Sequence, residues 1–185
     1  MIEIHPLEKF SASRLRQIAS GYTTNEIYRV EYHEGQVETV FRLTLEPLPE
    51  SKSFVFPFDE EELKGYEALI PNPFCLGAYD DGLWVGVALA EPRLWNNTLW
   101  VWEFHVAETY RGKGIGRRLM ERLAASAEAA GLRSLICETQ NTNVPAIRFY
   151  HAVGYRVEGV DISYYTNEDM LPGRTVAVFM KRRLT

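Results

Sequence analysis

The sequence predicts an α/β fold in which one mixed sheet is covered by helices. Short apolar runs bounded by turn residues predict the strands, and segments with apolar residues every three or four positions predict the helices. The chain has 185 residues, of which 46% are hydrophobic, and it shows no internal repeat. A chain of this size and composition buries one substantial core, so residues 1–185 are expected to form a single domain.

The first third of the chain predicts a helix, two strands, a loop and a second helix. The first helix is predicted at 11–20, and the strands are predicted at 25–32 and 37–45. Residues 47–57 contain three prolines, which favour a loop. Residues 59–62 are all acidic, and carboxylates favour the first turn of a helix, which here is predicted to reach about residue 69.

The rest of the chain continues with alternating strands and helices. Asp80-Asp81-Gly82 is a hairpin turn signal between two strands. Ile115, Leu119 and Leu123 fall on one face of a helix that Gly131 is expected to end. The predicted elements are strands at 74–79, 83–91 and 99–106, a helix at 115–130, a strand at 134–139, a helix at 144–153, and strands at 155–165 and 175–181.

The acidic balance of the chain limits its partners. The formal net charge is −5. Binding to nucleic acid requires a broad basic surface, so no nucleic-acid partner is expected, and a cationic substrate suits the charge better. No apolar run approaches the length of a membrane span, and residues 1–5 lack the features of a signal peptide. We therefore expect a cytoplasmic protein without membrane association.

The cysteines and histidines do not indicate a metal site. Cys75 and Cys137 lie in apolar, strand-like runs and are expected to be buried free thiols rather than a disulfide. The four histidines show no paired spacing typical of metal ligands. No metal is therefore expected.

Residues 110–118 form a glycine-rich basic segment between a predicted strand and a predicted helix. A strand-loop-helix directs backbone N–H groups and the positive end of the helix dipole toward an anion. Glycines let the backbone approach phosphate oxygens closely, and basic side chains add positive charge. These residues are Gly112, Gly114, Gly116, Arg111, Lys113, Arg117 and Arg118. The order of residues fits neither a P-loop nor a dinucleotide fingerprint, which would require glycine in place of Arg117.

A second segment, residues 143–150, carries two polar residues at helical spacing. Asn143 and Tyr150 lie nearly two helical turns apart, so they can lie on one side of a helix near its exposed start. Both are therefore able to reach the same ligand group.

Together, the two segments resemble the GNAT N-acetyltransferases. The spacing Arg-x-x-Gly-x-Gly from Arg111 to Gly116 is similar to motif A of that family, whose loop holds the pyrophosphate of coenzyme A. The resemblance implies a single mixed, mostly antiparallel sheet flanked by helices, with acetyl coenzyme A as cosubstrate. It assigns to acetyl coenzyme A the residues Phe104, His105, Val106, Arg111, Gly112, Lys113, Gly114, Ile115, Gly116, Asn143, Ala146 and Tyr150.

Within that family, the chain is similar to bacterial streptothricin acetyltransferases over most of its length. The resemblance implies acetyl transfer to a primary amine of streptothricin or a similar cationic antibiotic. Where those enzymes carry an acidic pair, this chain has Trp102-Glu103 and keeps only the second acid. The segments that carry the resemblance are Tyr22, residues 71–73, 95–96, 138–143 and 163–165.

The chemistry of amine acetylation requires a base and benefits from an acid. An alkylamine has a pKa near 10.4, so at neutral pH only about one molecule in a few thousand is the free base. Glu103 and Glu138 are both candidates for the base, and each is alternatively a structural carboxylate paired with an arginine. Tyr150 is the candidate acid for the departing thiolate, or else a packing residue beside Phe149.

Two other functions remain open from the sequence alone. A protein or peptide acetyltransferase is favoured if the acidic residues 59–67 bind basic termini. A catalytically inactive acyl-coenzyme A sensor would keep the loop without the chemistry. The final strand, 175–181, would allow pairing across a homodimer if it lay at the edge of the sheet.

Overall fold

The computed structural model describes residues 1–184 and contains nine strands and four α-helices within them. The strands are β1 (Ile2–Pro6), β2 (Tyr22–Glu34), β3 (Thr39–Phe54), β4 (Leu76–Asp80), β5 (Leu83–Arg93), β6 (Thr98–Val106), β7 (Ser134–Gln140), β8 (Arg156–Asp161) and β9 (Ala177–Arg183). The helices are α1 (Ala12–Ile18), α2 (Glu60–Leu69), α3 (Ile115–Ala129) and α4 (Val144–Ala152). A short 3-10 helix, Glu108–Tyr110, precedes α3.

Seven strands form a mixed sheet, as predicted. Their order is β1-β4-β5-β6-β7-β9-β8, and β2 pairs with β3 in a separate two-stranded sheet. Strands β6 and β7 are parallel, whereas the pairs β1–β4, β4–β5, β5–β6 and β8–β9 are antiparallel. The predicted fold class, a mixed and mostly antiparallel sheet flanked by helices, is therefore confirmed.

The chain divides into two compact units. The first contains residues 1–21 and 55–137 together with the chain end from Arg182, and the second contains residues 22–54 and 138–181. That residues 1–185 act as a single domain stays a prediction. The first unit buries an apolar cluster of Leu7, Leu15, Ile18, Leu63, Cys75, Trp84, Val87 and Leu89.

In the second unit, the buried Asn141 connects two backbone segments. Its side chain donates to the carbonyl of Tyr28 at 2.8 Å and accepts from the N–H of Val176 at 2.8 Å. Its backbone makes two further bonds to the same two residues. A buried polar side chain is stable only when its hydrogen bonds are satisfied, so Asn141 fixes β2 relative to the chain before β9.

Three sequence-based expectations about strands were wrong. Residues 47–57 are not all loop, because β3 continues to Phe54. Pro47 pairs with Glu26 next to a register irregularity in a two-stranded sheet, where a residue without an N–H is tolerated. The strand predicted at 155–165 ends at Asp161, whose carboxylate accepts the N–H of Ser163 and turns the chain. The short strand β1 was not predicted at all, although Ile2 and Ile4 alternate with polar residues.

The final strand does not lie at the edge of the sheet. Strand β9 stands between β7 and β8 in the strand order, because β8 pairs along it from Arg156 to Asp161. The possibility that this strand lies at an edge and pairs across a dimer is therefore wrong, while a homodimer formed in another way stays a prediction.

The cysteine prediction is confirmed. Cys75 and Cys137 are free thiols, 0% and 1% exposed. Within residues 1–184, no helix combines the length and the apolar character that crossing a lipid bilayer requires.

Candidate active site

The loop before α3 curls because two of its glycines adopt left-handed backbone conformations. Gly112 has φ +75° and Gly114 has φ +78°, values that a side chain disfavours. A Cβ built on either residue would meet nothing within 4 Å. The glycines are therefore required by backbone conformation rather than by packing, and the space beside them is open to a ligand. Gly116 lies inside α3 and does not contribute to the curl.

The start of α3 lacks the side-chain cap that the other three described helices have. Ser11, Asp59 and Asn143 each accept a backbone N–H at the start of α1, α2 and α4. The N-cap of α3 is Gly114, which offers no side chain, and the first turn of α3 contains no acidic residue. A helix start without a capping side chain, with its positive dipole end, is suited to an external anion.

The basic side chains around this loop are partly anchored to the protein. Arg111 donates through Nε to the carbonyl of Val106 at 3.0 Å and through Nη2 to the carbonyl of Gly21 at 3.0 Å. Lys113 Nζ lies 4.9 Å from the centre of the Tyr110 ring, a cation–π contact. Arg111 therefore shapes the loop while its charge adds to the positive field.

Strand β6 pairs with β5 along its length but with β7 only over its first half. A register irregularity between Leu89 and Ala90 of β5 places a bulge at Trp102. The parallel pairing with β7, over the described residues, runs only from Thr98 to Val101. Residues 103–106 remain paired with β5. This half of β6 contains the backbone that was predicted to contact the thioester, Phe104 to Val106.

Glu103 lies in a partly buried pocket of the first unit. Its Oε1 accepts the hydroxyl of Tyr66 at 2.6 Å, and its Oε2 lies 2.5 Å from Nε2 of His105. Burial, followed by the charge of Glu103, raises the pKa of Tyr66. The prediction that Glu103 and His105 share one face is confirmed by their hydrogen bond. Glu103 is paired with Tyr66 and His105 rather than with an arginine.

Aromatic rings surround this pair. The ring of His105 lies 5.0 Å from Phe56 and 6.3 Å from Phe58, measured between centroids. The side chains of His105 and Glu103 are 10% and 14% exposed. Both oxygens of Glu103 therefore contact protein groups, and aromatic rings lie next to its partner His105.

In the second unit, Asn143 begins α4 as predicted. Its Oδ1 accepts the N–H of Ala146 at 3.2 Å, and the residue is 7% exposed. Tyr150 follows on the same helix and is 6% exposed. Its ring contacts Tyr155 at 5.3 Å and Phe149 at 5.6 Å between centroids. Packing therefore fixes the Tyr150 ring, and its role as an acid stays a prediction.

Glu138 belongs to a cluster of hydroxyl groups in the second unit. Its Oε1 accepts the hydroxyl of Tyr165. Tyr22 donates to or accepts from Thr142 Oγ1 at 2.8 Å. Burial raises the pKa of Tyr22 to about 12, and the charge of Glu138 adds to the increase. Glu138 is half-buried, and phenols that stay protonated surround it.

Tyr165 was part of the sequence resemblance, but no role was predicted for it. Tyr165 as a whole is 40% exposed. Desolvation of its hydroxyl, followed by the charge of Glu138, raises its pKa. Because Tyr165 lies 27 residues from Glu138 in the sequence, no local sequence pattern predicts this contact.

The structure groups the predicted site residues within each unit. In the first unit, the end of β6 leads through the 3-10 helix into the glycine loop, so residues 103–106 and 111–116 are neighbours along one connection. In the second unit, Glu138 near the end of β7 precedes Asn143, Ala146 and Tyr150 on α4.

Comparison with known proteins identifies the family. The acetyltransferase (GNAT) family profile matches residues 31–155 of this chain. The chain therefore belongs to the GNAT acetyltransferase family, and it is an N-acetyltransferase. Membership of this enzyme family does not support the inactive sensor considered above.

Individual proteins similar to this chain include streptothricin and nourseothricin acetyltransferases. The streptothricin acetyltransferase of Streptomyces lavendulae is 31% identical over 159 residues, which cover 83% of this chain and 81% of the relative. The crystal structure of nourseothricin acetyltransferase superposes on this chain with a TM-score of 0.79 at 26% sequence identity. The match covers 100% of this chain and 99% of the nourseothricin acetyltransferase chain. A Bacillus anthracis protein solved in complex with acetyl coenzyme A shares the fold at 22% identity, with a TM-score of 0.75, covering 100% of this chain and 99% of its own.

Proposed function

We propose that this enzyme transfers the acetyl group of acetyl coenzyme A to a primary amine of a streptothricin-type cationic antibiotic. The amine attacks directly within a ternary complex. The start of α3 carries the cosubstrate assignment, because its N-cap supplies no capping side chain and its basic flank suits a pyrophosphate. The acceptor assignment is supported by the relative that is 31% identical over 83% of the chain.

Two segments of the sequence are assigned contacts to acetyl coenzyme A in this proposal. Residues 111–116 bind the pyrophosphate, and the backbone of Phe104, His105 and Val106 polarises the thioester carbonyl. In the second unit, Asn143 and Ala146 hold the acetyl end, next to Tyr150 on the same helix. No step requires a metal ion, and residues 1–184 contain no cluster of metal-ligand side chains.

The base of the reaction is assigned to Glu138. Both oxygens of Glu103 already accept hydrogen bonds or pair with protein donors, and its side chain is 14% exposed. Glu138 is buried to a similar degree, but its hydrogen bond with Tyr165 lies at an exposed position, whereas those of Glu103 are partly buried. It therefore removes the proton of the attacking ammonium, directly or through water.

Tyr150 supplies a proton to the departing thiolate. We expect Tyr150→Phe to lower kcat by roughly 10²-fold, the size of a general-acid effect, and to leave the affinity for acetyl coenzyme A nearly unchanged. Steady-state kinetics and isothermal titration calorimetry measure the two quantities.

The matched control is Tyr155→Phe. Tyr155 is buried beside Tyr150, so this variant makes the same chemical change in the same aromatic cluster. Equal losses in the two variants would show that Tyr150 is only a packing residue.

A peptide substrate is the alternative, but the acidic segment that suggested it has structural partners. Asp59 and Glu62 form a capping box at the start of α2. Glu60 pairs with Arg16 at 2.7 Å. These contacts explain much of the acidic run without a basic peptide, although the residues are exposed.

A thiol-release assay with a panel of amines tests the proposed substrate. We expect purified enzyme and acetyl coenzyme A to acetylate streptothricin on its β-lysine side chain and to leave basic peptides unmodified. The apparent affinity for streptothricin should fall as salt rises, because salt screens ammonium–carboxylate attraction. Rapid acetylation of peptides with no reaction of streptothricin would overturn the substrate and favour the peptide alternative.

Expression in a sensitive bacterium provides an independent measurement. The enzyme should raise resistance to streptothricin but not to antibiotics without a comparable amine. The Glu138→Gln variant, expressed to the same level, serves as the inactive control.

A further inference from the structure

The connection between β8 and β9 is built around a buried carboxylate that has no role in the mechanism above. Asp169 is 3% exposed. Its Oδ2 accepts the N–H of Tyr165 at 2.8 Å, and its Oδ1 accepts the N–H and the hydroxyl of Thr166 at 2.9 and 2.8 Å. Burying a charged carboxylate costs free energy, and it is tolerated only when several hydrogen-bond donors compensate for the lost water.

Asp169 remains ionised in this turn. Burial opposes its charge, but the hydrogen bonds from Tyr165 and Thr166 outweigh that effect, and the charge of Arg174 adds to them, so its pKa lies below the usual value. The three hydrogen bonds therefore persist throughout the neutral range. They fix the backbone at Tyr165, the residue whose hydroxyl binds Glu138.

Aromatic contacts also restrict the ring of Tyr165. It meets Tyr164 edge-on at 5.2 Å, and Tyr164 meets Phe179 of β9 edge-on at 5.4 Å, measured between centroids. Asp169 thus fixes the main chain of Tyr165, and the aromatic contacts restrict its ring. The phenol is preorganised to donate to Glu138 without losing conformational entropy during the reaction.

We propose that Tyr165 and Asp169 are positioning residues for acetyl transfer: Asp169 fixes the turn, and the Tyr165 hydroxyl orients the Glu138 carboxylate and stabilises its charge. This inference rests on the proposed role of Glu138 as the base. A hydrogen-bond donor to a carboxylate favours the ionised form of that carboxylate.

The ionisable groups around this pair set its pH dependence. The groups near Glu138 include the hydroxyls of Tyr165 and Tyr22, and the Gln140 side chain bonds to the Tyr165 hydroxyl. The group facing Asp169 is Arg174, which also pairs with Glu168 at 3.6 Å. Since the pKa of Tyr22 is about 12 and that of Tyr165 is raised, both phenols stay protonated where the enzyme works. The acid limb of the rate profile therefore reports Glu138.

The test compares the pH dependence of kcat/KM in Tyr165→Phe, Asp169→Asn and the wild type. Loss of the phenol donor should move the acid limb upward by about one pH unit, because one unit corresponds to one charge-assisted hydrogen bond of modest strength. Asp169→Asn keeps an oxygen for Thr166 but loses the acceptor for the Tyr165 N–H, so its limb should move in the same direction by less.

Asp161→Asn is the matched control. Asp161 also accepts a backbone N–H in this connection, but from Ser163 rather than from Tyr165, and asparagine retains the accepting oxygen. Its acid limb should stay in place. If Tyr165→Phe and Asp169→Asn lose stability or rate while their limbs also stay in place, the two residues are merely structural and the inference is wrong.

Direct titration separates this inference from the proposed function. The carboxyl carbon of Glu138 is followed by NMR in the full chain, and its signal is assigned by its absence in Glu138→Gln. Its midpoint should rise in Tyr165→Phe whether or not streptothricin is the substrate, and an unchanged midpoint would overturn the positioning role. If the midpoint rises but Glu138→Gln keeps full activity, the proposed base is wrong instead.

Discussion

Gly114→Asp is expected to abolish binding of acetyl coenzyme A. Gly114 has φ +78° and is the N-cap of α3, and the space beside it is open. An aspartate there is strained by the positive φ and places a negative charge where the pyrophosphate is proposed to bind. Repulsion between like charges is strongest where water is excluded, so we expect the affinity to fall by at least about 10²-fold. Isothermal titration calorimetry measures this loss.

Variants at the two ends of α3 distinguish the effect of backbone strain on affinity from the effect of charge. Gly131, just beyond the end of α3, has φ +74° and equally open surroundings. Gly131→Asp therefore imposes a similar backbone strain far along the helix from the loop and should retain affinity. Gly114→Ala adds the strain without the charge and should lose less affinity than Gly114→Asp. A folded Gly114→Asp protein with wild-type affinity would exclude the proposed phosphate site.

Glu138→Gln is expected to lower kcat/KM by about 10²- to 10⁴-fold, the range of general-base effects. Glutamine keeps an oxygen for the Tyr165 hydroxyl but cannot accept a proton, so the architecture is retained and the base is lost. The acid limb of the pH profile should disappear with it. Kinetics with streptothricin from pH 5 to 9 would measure both changes.

Glu103→Gln is the comparison that decides between the two carboxylates. It disturbs the contacts with Tyr66 and His105, so a lower melting temperature is expected. Its acid limb should nevertheless match the wild type. If the limb disappears in Glu103→Gln and survives in Glu138→Gln, Glu103 is the base and our assignment is reversed.

The sequence predicted the glycine loop before α3 and the helix starts because their causes are local. Positive φ at Gly112 and Gly114, the capping box from Asp59 to Glu62, and the cap by Asn143 each depend on residues within a few positions of one another. Residue spacing alone also placed Glu103 and His105 on one face. Such features are encoded by short patterns, which sequence analysis reads directly.

The features that were missed depend on contacts between distant segments. Tyr66 reaches Glu103 across 37 residues, and Tyr165 reaches Glu138 across 27. Pro47 remained in a strand because its partner Glu26 adjoins a register irregularity, which the proline run does not reveal. The tertiary fold decides which carboxylate acquires which donor, so the sequence alone could not separate the roles of the two glutamates.

The missing cap on α3 makes the ligand part of the folding equilibrium. In the proposed site, the pyrophosphate takes the place of the capping side chain at that helix start, and it does so only in the native state. At one hundred times its dissociation constant, such a ligand adds about 2.7 kcal/mol to the free energy of unfolding. In a cell with a high concentration of acetyl coenzyme A, this enzyme would therefore be more stable against unfolding than in a cell with little. The cosubstrate concentration would then govern both the lifetime of the enzyme and its reaction rate.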